Sequence, residues 1–251
     1  MTTTYFTDND GLQPPLATPK IILMVGAHPD DIEFGCGGSL AKWTDLGARL
    51  IYVILTDGSK GTWDVTVDPL NLAEIRQEEQ LEAARAISDG SLVEFLGCTD
   101  GELKYETEQV AQVCALIRKH KPDLLIGHDP WKRYRLHPDH RNAGFIIIDA
   151  LVAARDPLFH RQLGPNHRPK ALLLFEADEP NYFEQLSETN LVKKAESLLK
   201  HRSQHISSME MANESESTIA DFAQKVFSAG RSIGAKYDCE FAEHFRLISD
   251  I

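Results

Sequence analysis

Cysteine is scarce. Four residues, at positions 36, 98, 114 and 239 of 251, are widely spaced and form no C-x-x-C pair. They predict reduced thiols of a cytosolic protein, most of them buried. Basic side chains are outnumbered, 26 Lys and Arg against 38 Asp and Glu, for a formal charge of −12. That balance argues against nucleic acid as a partner, because such binders carry a dominant basic patch. A local basic pocket for an acidic small molecule stays compatible with it, since net charge governs solubility more than sites. No apolar run approaches the roughly eighteen residues of a membrane span. The opening MTTTYFTDNDGLQPPLATPK lacks the basic segment and apolar stretch of a signal peptide. Together these absences predict a cytoplasmic protein. No linker, compositional break or long internal repeat divides the chain, so the expectation is a loose N-terminal arm over 1–19 and a single domain over 20–251.

What is present is an alternation of strand and helix patterns. KIILMVGAH is a continuous apolar run, the mark of a strand buried on both faces. GGSLAKWTDLG predicts a helix, ARLIYVILTDG a second buried strand, and NLAEIRQEEQLEAARAISDG a helix of strong formers with a Gly stop. SLVEFLG, LLIGH and KALLLFEA predict further strands, with helices over ETEQVAQVCALIRKHKPD and PDHRNAGFIIIDALVAAR between them. The span 186–232 reads as mostly helical, and CEFAEHFRLI closes the chain. Such alternation predicts an α/β, Rossmann-like, mostly parallel sheet with helices on both faces.

Against that frame one tripeptide stands out. His-Pro-Asp occurs twice, at His28-Pro29-Asp30 and His137-Pro138-Asp139, where composition predicts roughly 0.04 copies. Each copy follows a strand and opens a helix, which is where open α/β sheets bind ligands. Proline suits a first helical turn. Each copy therefore presents a His and, three residues on, a second ligand-type side chain: His28 with Asp31, His137 with His140. Imidazoles and a carboxylate converging on a cleft suit Zn²⁺, which in hydrolytic sites takes three protein ligands and leaves a fourth position open. The alternative is that Asp30 and Asp139 merely cap helix starts. Two copies at matching topological places favour a shared site.

Other features carry less. The glycines of GCGGSL lack G-x-G-x-x-G spacing and follow acidic residues, so close backbone approach beside a metal turn explains them better than a dinucleotide. Asp57, at a strand end, faces the cleft or simply forms an Asp-Gly turn. Arg76 and Glu79 are spaced for a solvated helix ion pair. DPWKRYRL gathers Trp131, Lys132, Arg133, Tyr134 and Arg135 in a loop that reads as a substrate lid. His201 and Gln204 are expected to meet helix-end carbonyls.

AHPDDIEFGCGGSLAKW, with HPDH far downstream, resembles the N-acetylglucosaminyl-phosphatidylinositol de-N-acetylase family, also called PIG-L or LmbE-like. RQEEQLEAARAI, KPDLLIGH, KHRSQ and EFAEHFR follow its weaker motifs in order, so the resemblance spans most of the chain from residue 20 on. It implies removal of an acyl group, usually acetyl, from a small-molecule amino sugar by an enzyme with one Zn²⁺ per chain, or Fe²⁺ in its place. His28, Asp31 and His140 match the metal ligands and Asp30 the general base that activates water. His137 matches the imidazole that stabilises the oxyanion and protonates the leaving amine, Asp139 the partner that orients it, and Arg76 a substrate contact; where Asp139 reaches His137, its charge would also favour the protonated ring. Asp57 and Arg135 complete the candidate substrate-binding residues. The run from Gly127 to Asp139 is longer than in the family pattern, which leaves the substrate open. A non-sugar amide, a thiol conjugate, or an inactive metal-containing sugar-binding protein are the rival readings, and homo-oligomerisation stays open. The presence of Asp30 and His137 favours an enzyme, since a bare structural site needs neither.

Overall fold

The first strand, β1 (Ile21–Gly26), explains the architecture in miniature. Ile22 and Met24 pack into one apolar core and Leu23 and Val25 into another, all fully buried. A strand covered on both faces has no polar side, so it reads as an unbroken apolar run. The structure is a computed structural model that describes residues 11–213 and 215–251. Residues 1–10 of the expected arm lie outside the described residues. Residues 11–19 form no helix or strand; the Gln13 N–H donates to Asn181 O at 2.7 Å and Leu16 packs against the first core.

After β1 come α1 (Asp31–Asp45), β2 (Arg49–Thr56), α2 (Pro69–Ile87), β3 (Leu92–Cys98), α3 (Thr107–His120), β4 (Leu124–His128) and α4 (Pro138–Arg155). The chain continues through β5 (Ala171–Phe175), β6 (Tyr182–Leu186), α5 (Glu188–Leu198), α6 (Glu216–Gly234) and β7 (Phe241–Ile248). The strands form one sheet in the order β3-β2-β1-β4-β5-β7-β6. β1 to β5 pair in parallel, and β7 runs antiparallel between β5 and β6. The Rossmann-like, mostly parallel sheet is thus present. α1 and α2 cover the face of Ile22, α3 and α4 the face of Leu23. A third cluster, with Leu191, Leu198, Phe222 and Phe241, joins α5 and α6 to the antiparallel edge. No helix among the described residues is long and apolar enough to cross a membrane. All four cysteines are free thiols; Cys36 and Cys114 are buried, Cys98 and Cys239 half-buried.

One local expectation is corrected. The first helix begins at Asp31, not at the glycines, so Gly35, Gly37 and Gly38 lie inside α1 rather than in a turn. Glycine weakens a helix interior, but here a Cβ at Gly35 would meet the Phe175 ring at 2.6 Å and one at Gly38 would meet Leu186 at 2.6 Å. Tight packing of α1 on the sheet offsets the propensity loss. β6, which no sequence pattern marked, ends at Leu186 where the span read as helical begins, and pairs to β7 from Tyr182↔Phe245 to Leu186↔Phe241.

One buried cation fastens the far end of the α3–α4 layer. Arg118, in the last turn of α3, donates to the carbonyls of Ala153, Ala154, Asp156, Phe159, His160 and Gly164 at 2.8–3.3 Å. Arg118→Ala leaves several buried acceptors unpaired, so a loss of about 3 kcal/mol is expected. Urea unfolding checks this as a lower midpoint at unchanged slope.

Candidate metal centre

Strand order reverses between β1, whose next strand in the chain lies on one side, and β4 on its other side. That reversal opens a crevice at the carboxyl ends of the two strands. His28 follows β1 and Asp31 is the first residue of α1. His128 ends β4, and His140 sits in the first turn of α4. The topology therefore brings both halves of the sequence motif to one point.

Three side chains form a triangle, in which each histidine faces a different oxygen of the Asp31 carboxylate. His28 Nδ1 lies 3.3 Å from Asp31 Oδ2 and 3.2 Å from His140 Nε2, and His140 Nε2 lies 3.2 Å from Asp31 Oδ1. Donor atoms of two imidazoles and one carboxylate about 3.2–3.3 Å apart are close enough to share one ion such as Zn²⁺. Two further imidazoles border it. His128 Nε2 is 3.1 Å from Asp31 Oδ2. The His137 ring stacks on His140 with centroids 4.8 Å apart and meets His28 edge-on at 4.6 Å.

Each member of the triangle is held from behind. His28 Nε2 sits 3.2 Å from both Asp100 Oδ1 and Asp139 Oδ2, the carboxylate–imidazole pairing that fixes a ring so that its other nitrogen faces the site. Burial alone would lower the His28 pKa, but the bonds to Asp100, Asp139 and Asp31 raise it well above the usual imidazole value. Burial would raise Asp31, yet the imidazoles of His140 and His128 hold it well below the usual carboxylate range. Its Oδ2 also accepts the His28 N–H at 2.7 Å. Asp100, likewise resisting burial through its bond to His28, falls to about 2.

Sequence reasoning missed His128 and Asp100. His128 is fully buried, and its Nδ1 accepts from Arg135 Nη1 at 3.2 Å, which leaves Nε2–H to donate to Asp31. The same Arg135 nitrogen lies 3.1 Å from His140 Nδ1, and Arg135 Nη2 pairs with Glu176 at 2.5 Å. Burial, with contributions from His140 and Arg135, keeps the His128 pKa below its ordinary value. A histidine ending a strand at the switch point was the available signal.

The structure relocates several expected roles. Asp139 does not engage the His137 ring. Its carboxylate takes the N–H groups of Gly101 at 2.7 Å and Leu103 at 3.2 Å along with His28, because the helix start turns it inward while His137 stays exposed. His137 Nδ1 accepts the Asp139 N–H at 3.3 Å instead. Shielding by its surroundings, then the neighbouring His28 and His140 rings, lower the His137 pKa, against the expectation of a ring kept protonated by Asp139. Arg135 is turned inward beneath the imidazoles, not outward on a lid; Trp131 and Tyr134 of that loop are exposed. Asp57 forms the turn, accepting from the Ser59 N–H at 3.0 Å and the Asp100 N–H at 3.1 Å, and so braces Asp100. Arg76 is buried, not solvated, and lies 3.4 Å from Asp30 Oδ2, while Glu79 accepts from the N–H and hydroxyl of Ser203. His201 is fully buried with Nε2 3.7 Å from Glu33, and Gln204 accepts from the hydroxyls of Ser207 and Ser208, so neither side chain meets a helix-end carbonyl.

Asp30 itself is buried beside the triangle, with φ of 103° in the left-handed region. A non-glycine residue persists there only when its surroundings impose it, and such strain gathers at functional sites. Burial, opposed by Arg76 and aided by Asp31, lifts the Asp30 carboxyl to about 6, near the value a general base needs at neutral pH. Next to the crevice, a cavity of about 460 Å³ over the end of β5 is lined by Phe34, Lys132, Glu176, Met209 and Phe222 among others. Its size is that of a small-molecule pocket.

The family model described as PIG-L, GlcNAc-PI de-N-acetylase, matches residues 23–151. The diacetylchitobiose deacetylase of Thermococcus kodakarensis is 38% identical over 184 residues, which cover 71% of this chain and 68% of that protein. The 1D-myo-inositol 2-acetamido-2-deoxy-alpha-D-glucopyranoside deacetylase of Geodermatophilus obscurus is 28% identical over 169 residues, 57% of this chain and 56% of its own length. Among solved structures, N,N'-diacetylchitobiose deacetylase from Pyrococcus horikoshii, complexed with its inhibitor MPG, superposes with a TM-score of 0.80 at 29% identity, covering 92% of this chain and 84% of that one.

Proposed function

The chain belongs to the PIG-L family of GlcNAc-PI de-N-acetylases, and on that premise we propose that it is a metal-dependent hydrolase removing the N-acetyl group from an N-acetylglucosamine-type sugar. The observation that carries this reading is the triangle of His28 Nδ1, Asp31 carboxylate and His140 Nε2 beside the buried carboxyl of Asp30. Those three residues would hold one ion per chain. Two imidazoles and a carboxylate favour Zn²⁺, with Fe²⁺ the alternative that the same donor set accepts. When bound, the ion would act as a Lewis acid that polarises the amide carbonyl and makes water nucleophilic at neutral pH.

The chain's own residues supply the proton movements. Asp30, ionised above its raised pKa, takes a proton from the attacking water at its carboxylate. The exposed ring of His137, stacked on His140, is placed to donate toward the oxyanion and then to the departing amine nitrogen. Its lowered pKa makes it a readier acid once a proton is on it. Asp139 and Asp100 orient His28, and Arg135 with His128 orients His140 and Asp31. The neighbouring cavity, with apolar and charged walls, offers room for the rest of the substrate. A bare metal-holding protein would have no use for a strained carboxylate of raised pKa beside the site.

Release of free amine from a panel of N-acetylglucosaminides, including N,N'-diacetylchitobiose, tests the reading. Stoichiometric amine and acetate are expected. Acetate-free turnover, or none on any sugar while a non-sugar amide is cleaved, would replace the substrate class.

The supporting arginine has its own expected effect. Arg135→Met removes the donor shared by His128 and His140, and metal affinity should fall about 10–100-fold, the usual worth of an outer partner. Competition with a chromophoric chelator measures it. Unchanged affinity would show that the arginine only fills space.

A further inference from the structure

The peptide between Pro29 and Asp30 is gripped at both of its polar atoms by one helix. Arg76 Nη2 donates to the Pro29 carbonyl at 2.5 Å, and the Asp30 N–H donates to Gln80 Oε1 at 3.0 Å. Arg76 and Gln80 are four residues apart on α2 and so project from the same face. A primary amide can present either its oxygen or its nitrogen. Here the choice is fixed, because Gln80 Nε2 donates to Glu33 Oε1 at 2.7 Å and leaves Oε1 to accept from Asp30. Glu33 and Gln80 are fully buried, and Arg76 nearly so. Gly58 gives the guanidinium its space, since a Cβ there would lie 2.8 Å from Nη1.

This grip opposes a specific relaxation. Rotating the Pro29–Asp30 peptide plane by about 180° would return the φ of Asp30 from its left-handed value to the ordinary negative range. It would also exchange the positions of the carbonyl and the N–H, which Arg76 and Gln80 hold apart. We propose that Arg76 and Gln80 clamp this peptide, with Glu33 locking the amide of Gln80, so that Gln80 and Glu33 are positioning residues for the Asp30 carboxylate. The role rests on Asp30 being the general base of the reading above. A displacement of the base by about 1 Å is enough to cost on the order of 10²-fold in rate, so the clamp acts on kcat rather than on substrate affinity.

The test uses the metal-loaded full chain and the variants Gln80→Met, Gln80→Glu and Glu33→Gln/Gln80→Glu. Gln80→Met removes the acceptor at near-equal volume. It should lower kcat about 10–100-fold with KM and metal content unchanged, and hydrogen exchange at the Asp30 amide should quicken at least about tenfold as its acceptor is lost. Gln80→Glu sets two buried carboxylates face to face and should lose as much. The double variant restores donor and acceptor with their places exchanged and the charge conserved, so it should recover kcat to within about threefold of the parent. Wild-type kcat in Gln80→Met, metal loss in proportion to the lost rate, or a double variant no better than Gln80→Glu would overturn the clamp. Should Gln80→Met fail to fold, the Gln80→Glu and double-variant pair decides alone. An inactive parent would instead overturn the functional reading, and exchange at the Asp30 amide would still decide the clamp.

Discussion

Asp30→Asn is expected to lower kcat about 10²–10⁴-fold while KM, metal content and fold stay as they are. The substitution keeps the size of the side chain and the N–H donated to Gln80, so the strained turn survives. What it removes is the basic oxygen. In the metal-free protein this carboxyl titrates near 6, raised first by burial. A base works only when ionised, so activity should fall as pH drops through the folded pKa. A bound dication lowers a nearby acid's pKa, so the acid limb of kcat/KM is expected below about 6. Asp30→Asn should lose that limb along with the rate. A raised KM at unchanged kcat would show that Asp30 binds substrate and does not take the proton.

The second large effect separates two histidines that share one helical turn. His140 Nε2 belongs to the donor triangle, whereas His137 only borders it with its ring. His140→Ala should therefore lose most of the bound metal and, with it, nearly all activity. His137→Ala should keep the metal and lose about 10²–10³ in kcat, the worth of one donor to the oxyanion. Elemental analysis of both variants, alongside steady-state kinetics, reads the difference. The reverse pattern would exchange the two roles. Equal metal loss in both would mean four protein ligands, leave no position for water, and favour a binding protein over a hydrolase.

How legible this was in the sequence depended on whether a signal is local. β1 and β2 announce themselves because burial on both faces forbids polar residues, and the repeated His-Pro-Asp marks two helix starts after strands. Those marks offer His28, Asp31, His137 and His140 as candidates, and the family resemblance picks His28, Asp31 and His140 from them as the ligands. Their supports carry no such mark. Asp139 turns to His28 instead of His137 because the N–H groups of Gly101 and Leu103 donate to its oxygens, a pairing that exists only once β3, β2, β1 and β4 are assembled into one sheet. His128 and Arg135 lie only seven residues apart, yet nothing in LLIGH or WKRYRL marks their hydrogen bond. Gln80 lies in a run of strong helix formers, where its role depends on the rotation of α2 and on a fully buried Glu33. Gly35 and Gly38 misled because their reason is distant: the Phe175 ring and Leu186 press where a Cβ would stand.

On the function proposed above, one bound ion, held by His28, Asp31 and His140, would make this chain a deacetylase. Because the core does not depend on metal for its burial, a chelated protein should stay folded yet release no amine. Titrating that metal-free protein with Zn²⁺ while following amine release from N,N'-diacetylchitobiose tests it most directly. Activity is expected to rise linearly and level off at one equivalent per chain. Full activity in protein shown by elemental analysis to hold no metal would contradict it.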